Sequence, residues 1–461
     1  MRPGVSIQPA SVHRKQSVFQ SSPPHRSVLA TLAVGGVVLI SRLAFIGPGL
    51  GMDYDAWLLA DAARTIRETG QYVGSRPPGY PVVEGLFALL HDLGPWALCA
   101  ATAVASAVAC VLTMRLMRKA GCSSAWATAL CFAFTPIVWL SSVTAMDYIW
   151  AWCLVMASWT ALAEERPVRS GIYLGLAIGA RATSGLMVLP LLWLATRRKN
   201  SRKFALACTA MASLLYAPVL QEKGFTWMTS FSLGGRGLMD VLRLGVVEVW
   251  GPIGIAALGV AAIVVRRQIR DRGSNPQQLQ RELMATARMG AFLNLVLFLW
   301  MPLEAAYLLP FVGCVLIFMG AWAPAGVMGP LAAALLVSGV YSPGSKGALL
   351  ADLDQRREQE ILLDLVEEAL VDIKEPTVVL CGSMFSMVQY RMKGREAKWV
   401  RLRMAMANRD QLLKVKTKGG EQYLFINTID PWHRANLGYS LWQVARPLLP
   451  EDWREAKQGP K

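Results

Sequence analysis

GMDYDAWLLADAARTIRETGQYVGSRPPGYP, residues Gly51 to Pro81, follows the first long apolar run of the chain. It carries two aspartates, Asp53 and Asp55, one residue apart, and places Arg76 before two prolines. After Asp53 the apolar residues Trp57, Leu58, Ala62 and Ile66 recur at helical spacing, while Asp61, Arg64 and Glu68 stand three and four apart, where side chains pair. The pattern predicts an amphipathic helix at a membrane surface, begun by an aspartate in the N-cap region and stopped by Gly70. Pro77 and Pro78 lack amide donors and force an extended path, so the Ser75–Pro81 connector fixes where Arg76 points. Tyr80 to Leu90 is apolar but too short to span, and reads as a second interfacial or partly inserted helix. Only one of Asp53 and Asp55 can be the N-cap. Capping plus solvation is one account of the pair; chemistry is the other.

The chain around this stretch is that of a polytopic membrane protein. Of 461 residues, 54% are hydrophobic and only 17% charged, too apolar for an ordinary soluble domain. The net charge of +16 comes from short Lys and Arg runs beside apolar segments, which is how membrane topology is encoded, so no nucleic-acid partner is implied. Six of the eight cysteines lie inside apolar runs, and neither Cys122 nor Cys381 has a CxxC partner, which argues against structural zinc and a disulfide framework.

Residues 1–27 form a basic, Ser- and Pro-rich stretch read as a disordered cytoplasmic tail. Residues 28–342 then contain roughly eleven apolar segments, near 28–47, 95–117, 124–142, 147–163, a short pair at 171–180 and 184–195, 204–221, 242–265, 289–302, 305–320 and 324–341. Basic residues alternate in side: Arg26, then Arg115 to Lys119, Arg166 and Arg169, Arg197 to Lys203, and Arg266 to Arg281 form one set. These are assigned to the cytoplasm. The first loop, residues 48–94, the Ser141–Asp147 turn, the Gln221–Asp240 loop and Glu304 fall on the exterior face. An odd number of spans puts residues 345–461 outside as a small soluble α/β domain. It begins with an amphipathic helix, Asp354 to Ile373, with a stripe of Leu362, Leu365, Val366, Ala369 and Ile373. Strands are expected at Thr377–Cys381, Lys398–Met404 and Tyr423–Asn427, and helices at Ser383–Arg391 and Arg409–Lys416. The Cys381–Ser383 turn holds a single Gly and reads as structural.

Ionisable residues at membrane depth are costly and mark candidate sites. Asp147 lies at an exterior turn, where an interfacial position is the alternative to a functional one. Arg181 sits between two half-length apolar stretches with no charged neighbour for ten residues on either side. Either it snorkels from the tip of a re-entrant pair, or its planar fork binds an anion, for which phosphate is the natural partner. Glu304 is also isolated, with Tyr307 three residues on and on the same helical face. Arg236, in a Gly-rich loop, is a weaker candidate for binding.

In order and placement, AspTyrAspAlaTrp, SerArgProProGlyTyrPro, ThrPro followed by Asp147, GlyAlaArgAlaThr and GluAlaAlaTyrLeuLeuPro resemble the C-type glycosyltransferase (GT-C) superfamily. These polytopic enzymes use polyprenyl-phosphate-linked sugars and include the protein O-mannosyltransferases and lipid A aminoarabinose transferases. The resemblance covers roughly the first 340 residues and implies a mainly α transmembrane fold. Members carry an acidic pair, usually Asp followed by Glu, in the first exterior loop. Here Tyr54 holds the usual Glu position and Asp55 comes one later, which leaves open which aspartate is the base. The resemblance implies an inverting single displacement, with Asp53 by preference as general base, Arg76 and Arg181 on the donor phosphate, and Tyr80, Asp147, Arg236, Glu304 and Tyr307 as further substrate contacts. The implied partners are the bilayer, a polyprenyl-phosphate-linked sugar, and a lipid, glycan or protein hydroxyl acceptor. No cofactor is required by that scheme. AspTyrAsp also has the DxD form of the metal-dependent branch, so a Mg or Mn ion at Asp53, Asp55 and Asp147 is the alternative. The expected location is a bacterial plasma membrane, as a multi-pass protein with a cytoplasmic N-terminus. The rival readings are a lipid or solute transporter or flippase, and a non-catalytic membrane scaffold.

Overall fold

The computed structural model describes residues 24–229, 236–271, 277–371, 377–380, 385–392 and 422–425. The tail before residue 24, the tip of the 221–240 loop, the expected strand at Lys398–Met404, the expected helix at Arg409–Lys416 and the Cys381–Ser383 turn lie outside them.

The described chain is predominantly helical. Helix α1 (Pro24–Leu43) is followed by the loop helices α2 (Tyr54–Thr69) and α3 (Pro81–Leu90). Next come α4 (Pro95–Lys119) and the broken pair α5 (Ala125–Phe134) and α6 (Pro136–Ser142). Helix α7 (Tyr148–Ala163) leads to α8 (Pro167–Ala180), then a 3-10 turn at Ala182–Met187, then α9 (Val188–Arg197). The remaining membrane helices are α10 (Ser201–Met228), the short α11 (Leu238–Leu242), α12 (Val249–Asp271), α13 (Gln278–Trp300), α14 (Leu309–Trp322) and α15 (Ala325–Val340).

The eleven expected apolar segments differ in whether each is long enough to cross on its own. Among the described residues five helices are long and apolar enough: Pro95–Lys119, Ser201–Trp227, Leu238–Arg270, Gln278–Trp300 and Ala305–Trp322. A sixth is obtained if α5 and α6, bent by 71° at Thr135, count as one. Val28–Leu43, Tyr148–Ala163 and Ala325–Val340 are shorter apolar helices. Prolines and polar residues interrupt the apolar stretches: Pro136 starts a new helix within the 124–142 segment, and Arg181 ends α8 within the 171–195 pair. Broken helices of this kind leave backbone and side chains at membrane depth available for chemistry.

Helices α8 and α10 meet along glycines at a four-residue spacing, where small residues let backbones approach. A Cβ at Gly171 would stand 2.4 Å from the Phe204 carbonyl oxygen, and one at Gly175 would stand 2.6 Å from the Met211 Cβ. This seam ends just before Arg181 and holds that end of α8 in place.

After a two-stranded turn, β1 (Tyr341–Ser342) with β2 (Ser345–Lys346), helix α16 runs from Ala348 to Val371. It starts six residues before the expected Asp354, and its first half is anchored: Arg356, almost wholly buried, donates to the carbonyls of Phe45 (2.7 Å) and Pro48 (3.3 Å) and pairs with Asp352 at 2.7 Å. The side chains of the expected stripe lie outside the described residues. Strands β3 (Thr377–Leu380) and β4 (Gln422–Phe425) pair in parallel, and α17 (Phe385–Met392) lies between them in sequence.

Candidate active site

Helix α2 has the termini its sequence predicts. Asp53, with extended backbone, is the N-cap and accepts from the Asp55 amide at 2.9 Å; Gly70 closes the helix at φ 69°. Its apolar face is packed, with Ala56, Trp57, Leu59, Ala60 and Ala63 buried, so the helix is held by protein and not only laid on a surface. The Trp57 indole donates to the Gly51 carbonyl at 2.9 Å, and the Ala145 amide donates to the Leu50 carbonyl at 2.8 Å. These bonds tie the start of α2 to the segment that carries Asp147.

The proline connector is set by a residue the sequence reading passed over. Glu84, in the first turn of α3 and fully buried, accepts from the Ser75 amide (2.7 Å), the Ser75 hydroxyl (2.6 Å), the Tyr72 hydroxyl (2.5 Å) and the Tyr80 amide (3.1 Å). One carboxylate thus satisfies both ends of the turn around Arg76. Burial raises the Glu84 carboxyl, and these donors work against that rise. Glu84 was visible in the sequence by the rule that singled out Arg181: it is a lone charge in an apolar helix.

Arg76 so placed reaches two carboxylates. Its Nε lies 2.8 Å from Asp55 and one Nη 2.9 Å from Asp147; its guanidinium also covers the Tyr80 ring at 4.1 Å. Asp147, with no exposure, gives its second oxygen to Arg181 at 2.5 Å. Arg181 leaves the end of α8 in extended conformation, and its guanidinium lies over the rings of Tyr148 (3.7 Å) and Tyr307 (4.6 Å). The Tyr148 hydroxyl donates to Glu304, which caps the 3-10 turn Ala305–Leu308. Tyr148 was missed because a tyrosine beside an aspartate in an apolar run reads as packing.

Two charge groups result. Asp147 is saturated by Arg76 and Arg181. Asp53, Asp55 and Glu304 instead offer carboxylate oxygens within 4.8 Å of one another, with Arg76 compensating at Asp55. Burial first, and then the Glu304 and Asp55 charges, push the Asp53 carboxyl up to about 7 from an ordinary 3.8. The Asp55 carboxyl is also raised by burial, with Arg76 as the leading opposing influence. Both Arg76, by one buried Nη1 without a partner among the described residues, and the carboxylates retain bonding capacity.

For a metal, the sequence set Asp53, Asp55 and Asp147 needs correcting. Both oxygens of Asp147 are held by arginines, so the third carboxylate that could face a cation is Glu304. Arg236, fully outside this cluster's ion pairs, is exposed and donates to the Leu303 carbonyl at 2.6 Å, one residue before Glu304. Tyr80 and Tyr307 both lie at the guanidinium faces, so all nine sequence candidates fall in or beside one site.

The fold and site define a polytopic helical membrane protein with a buried arginine–carboxylate–tyrosine centre beside its first long loop. No family model matches the sequence, and no curated protein matches it. Among solved structures the chain is similar to ArnT from Cupriavidus metallidurans bound to undecaprenyl phosphate, at 15% identity over 80% of this chain and 75% of that chain, with a TM-score of 0.49.

Proposed function

We propose that the protein is a membrane glycosyltransferase that moves a sugar from a polyprenyl-phosphate donor to a hydroxyl acceptor, by one inverting displacement at the site around Asp53. The observation that carries this reading is the adjacency of two opposed functions. Arg76 keeps an unpartnered buried donor, as phosphate binding requires, and Asp53 nearby has a carboxyl poised near neutrality, as a general base requires.

In the displacement, the acceptor oxygen forms a bond to the anomeric carbon as its proton passes to Asp53. The bond from that carbon to the phosphate oxygen breaks, and the polyprenyl phosphate leaves with the electron pair. Arg76 and Arg181 counter the charge growing on that oxygen. Asp147 holds both guanidiniums in place, and Tyr148 and Tyr307 fix the plane of Arg181. Asp55 is committed to Arg76, which favours Asp53 as the base. Asp53 and Asp55 with Glu304 also fit a divalent cation: their oxygens converge, and the Glu304 and Asp55 charges add to the burial that raises Asp53. Such an ion would neutralise charge on the donor phosphate. The site would face the exterior, with the basic runs cytoplasmic and residues 345–461 on the site's side.

The test is sugar transfer from a lipid-linked donor by Asp53→Asn and Asp55→Asn variants that insert as the parent does. Loss of about 100-fold or more in Asp53→Asn is expected, with a smaller loss in Asp55→Asn. Transfer unimpaired in both would sink the assignment. Loss on chelation, restored by Mg or Mn, would assign the cation.

A further inference from the structure

A charged cavity lies at the far end of the helices that carry the site. Helix α9 begins shortly after Arg181 and ends at Arg197, and α13 ends shortly before Glu304 and begins at Gln278. At about 1.5 Å per residue, the 16 residues from Arg181 to Arg197 and the 23 from Arg281 to Glu304 put this end roughly 25–35 Å away, on the face whose basic runs read as cytoplasmic. There a cavity of about 420 Å³ is lined by Trp193, Arg197, Gln278, Arg281, Met284 and Arg288, with Glu282 at its wall.

The charges in this cavity do not cancel. Glu282 is buried and already committed to Arg198 at 2.7 Å, and Arg198 is itself fixed by donating to the carbonyls of Leu162 (2.9 Å) and Ala163 (3.2 Å) at the end of α7. No acidic side chain among the described residues pairs with Arg197, Arg281 or Arg288. Arg197 lies over the Trp193 ring at 5.6 Å, and Arg288 over Phe318 at 5.9 Å. Arg288 stands two turns further into the apolar α13 than Arg281, a depth at which an uncompensated cation is costly. Three unpaired guanidiniums on one cavity, with Trp193 and Met284 as its apolar wall, match a phosphate group attached to something greasy.

We propose that this cavity binds a phosphate-bearing anion, the headgroup of an anionic phospholipid of that leaflet or a soluble phosphate. The bound phosphate supplies the counter-charge that Arg288 lacks and bridges α9 to α13.

The full-length protein in neutral detergent, offered equal phosphatidylglycerol and phosphatidylcholine, tests it by native mass spectrometry. A parallel arm measures melting with and without inorganic phosphate in the absence of anionic lipid. Phosphatidylglycerol is expected to be retained over phosphatidylcholine, and Arg197→Gln/Arg281→Gln/Arg288→Gln to cut that retention by about tenfold or more. Arg266→Gln/Arg267→Gln, which removes basic charge from the same face outside the cavity, should leave retention unchanged. A melting rise with inorganic phosphate that the cavity variant loses would support the same site with a soluble source. Should the triple variant not fold, Arg288→Gln alone gives the comparison, with a smaller loss expected. Equal retention by parent and cavity variants with no loss of a phosphate-dependent melting shift, or an equal drop in the Arg266/Arg267 control, overturns the proposal.

Discussion

Arg42 and Arg181 are both buried arginines in apolar helical surroundings, and they are held in opposite ways. Arg42, near the end of α1, meets no carboxylate among the described residues. Its Nε donates to the Ser142 hydroxyl at 3.1 Å, its two Nη groups donate to Ser41 at 2.8 Å and to the Ala133 carbonyl at 2.5 Å, and the Trp139 and Phe134 rings flank it at 5.2 and 5.8 Å. The Ala133 carbonyl is free because α5 stops at Phe134 and the chain bends, so a helix end has orphaned acceptors that a cation can fill. Arg42 thus staples α1 to the broken α5–α6 pair. Arg181 is held by a carboxylate it shares with Arg76, and by two tyrosines of which one bonds Glu304. Burial of an arginine therefore does not mark a site; a shared acid and further titratable groups do.

The difference predicts a separation of effects. Arg181→Gln leaves Asp147 half-paired and removes the proposed phosphate contact, so sugar transfer should fall about 100- to 1000-fold while stability drops by about 3–5 kcal/mol from the half-compensated buried charge. Arg181→Lys should not restore transfer, because an ammonium cannot span Asp147 and two ring faces as the planar fork does. Arg42→Gln should cost about 1–3 kcal/mol through the acceptors it leaves unpaired, and transfer per folded molecule should hold. Transfer assays normalised to monodisperse protein, with melting curves on the same samples, read both quantities. Equal loss of specific activity in the two glutamine variants would break the comparison.

Why Arg181 was legible in the sequence and Arg42 was not is a matter of neighbours. Arg181 lies between two half-length apolar stretches, so local spacing exposes it, whereas Arg42 follows a full apolar run and reads as the basic end of a span. The surface helix from Asp53 to Gly70 was legible because cap and stop are local chemistry. Partners far apart in the chain were not. Asp147 joining Arg76 to Arg181 and Glu304 joining Asp53 and Asp55 are long-range events that no spacing encodes. The break at Arg181 was legible as a pair of half-length apolar stretches, whereas the 71° bend within the 124–142 segment was not.

Titration sharpens the contrast inside the site. Asp53 carries its proton up to about pH 7 in the folded protein, against an ordinary 3.8 when unfolded. Between those values the folded state binds the extra proton, so stability falls as pH rises from about 4 to 7. Asp53→Asn, which cannot ionise, should therefore gain melting temperature over the parent at pH 8 and show little gain at pH 4. Transfer by the parent should rise with pH through about 7 as the base becomes available. A parent rate flat between pH 5 and 8, with chemistry shown to limit turnover, would remove Asp53 from that role.

Arg64 offers a third setting, between the other two. It pairs with Asp61 at 2.5 Å, and it also meets the C-terminal helix α17, donating to the Tyr390 carbonyl at 2.7 Å and lying over that ring at 4.5 Å. The same ring stands edge-on to Trp57 at 5.7 Å, and its hydroxyl is 3.3 Å from His91. Tyr390 therefore touches the back of the helix capped by Asp53 and carrying Asp55 in its first turn, and no group of the site. Tyr390→Phe keeps the ring contacts with Arg64 and Trp57 and removes only the His91 bond, so a stability loss of about 0.5–1.5 kcal/mol is expected, with transfer unchanged. A transfer loss in Tyr390→Phe as large as in Arg181→Gln would mean that the hydroxyl, and with it the C-terminal helix, sets the geometry of the acids directly. The three arginines would then differ in degree and not in kind.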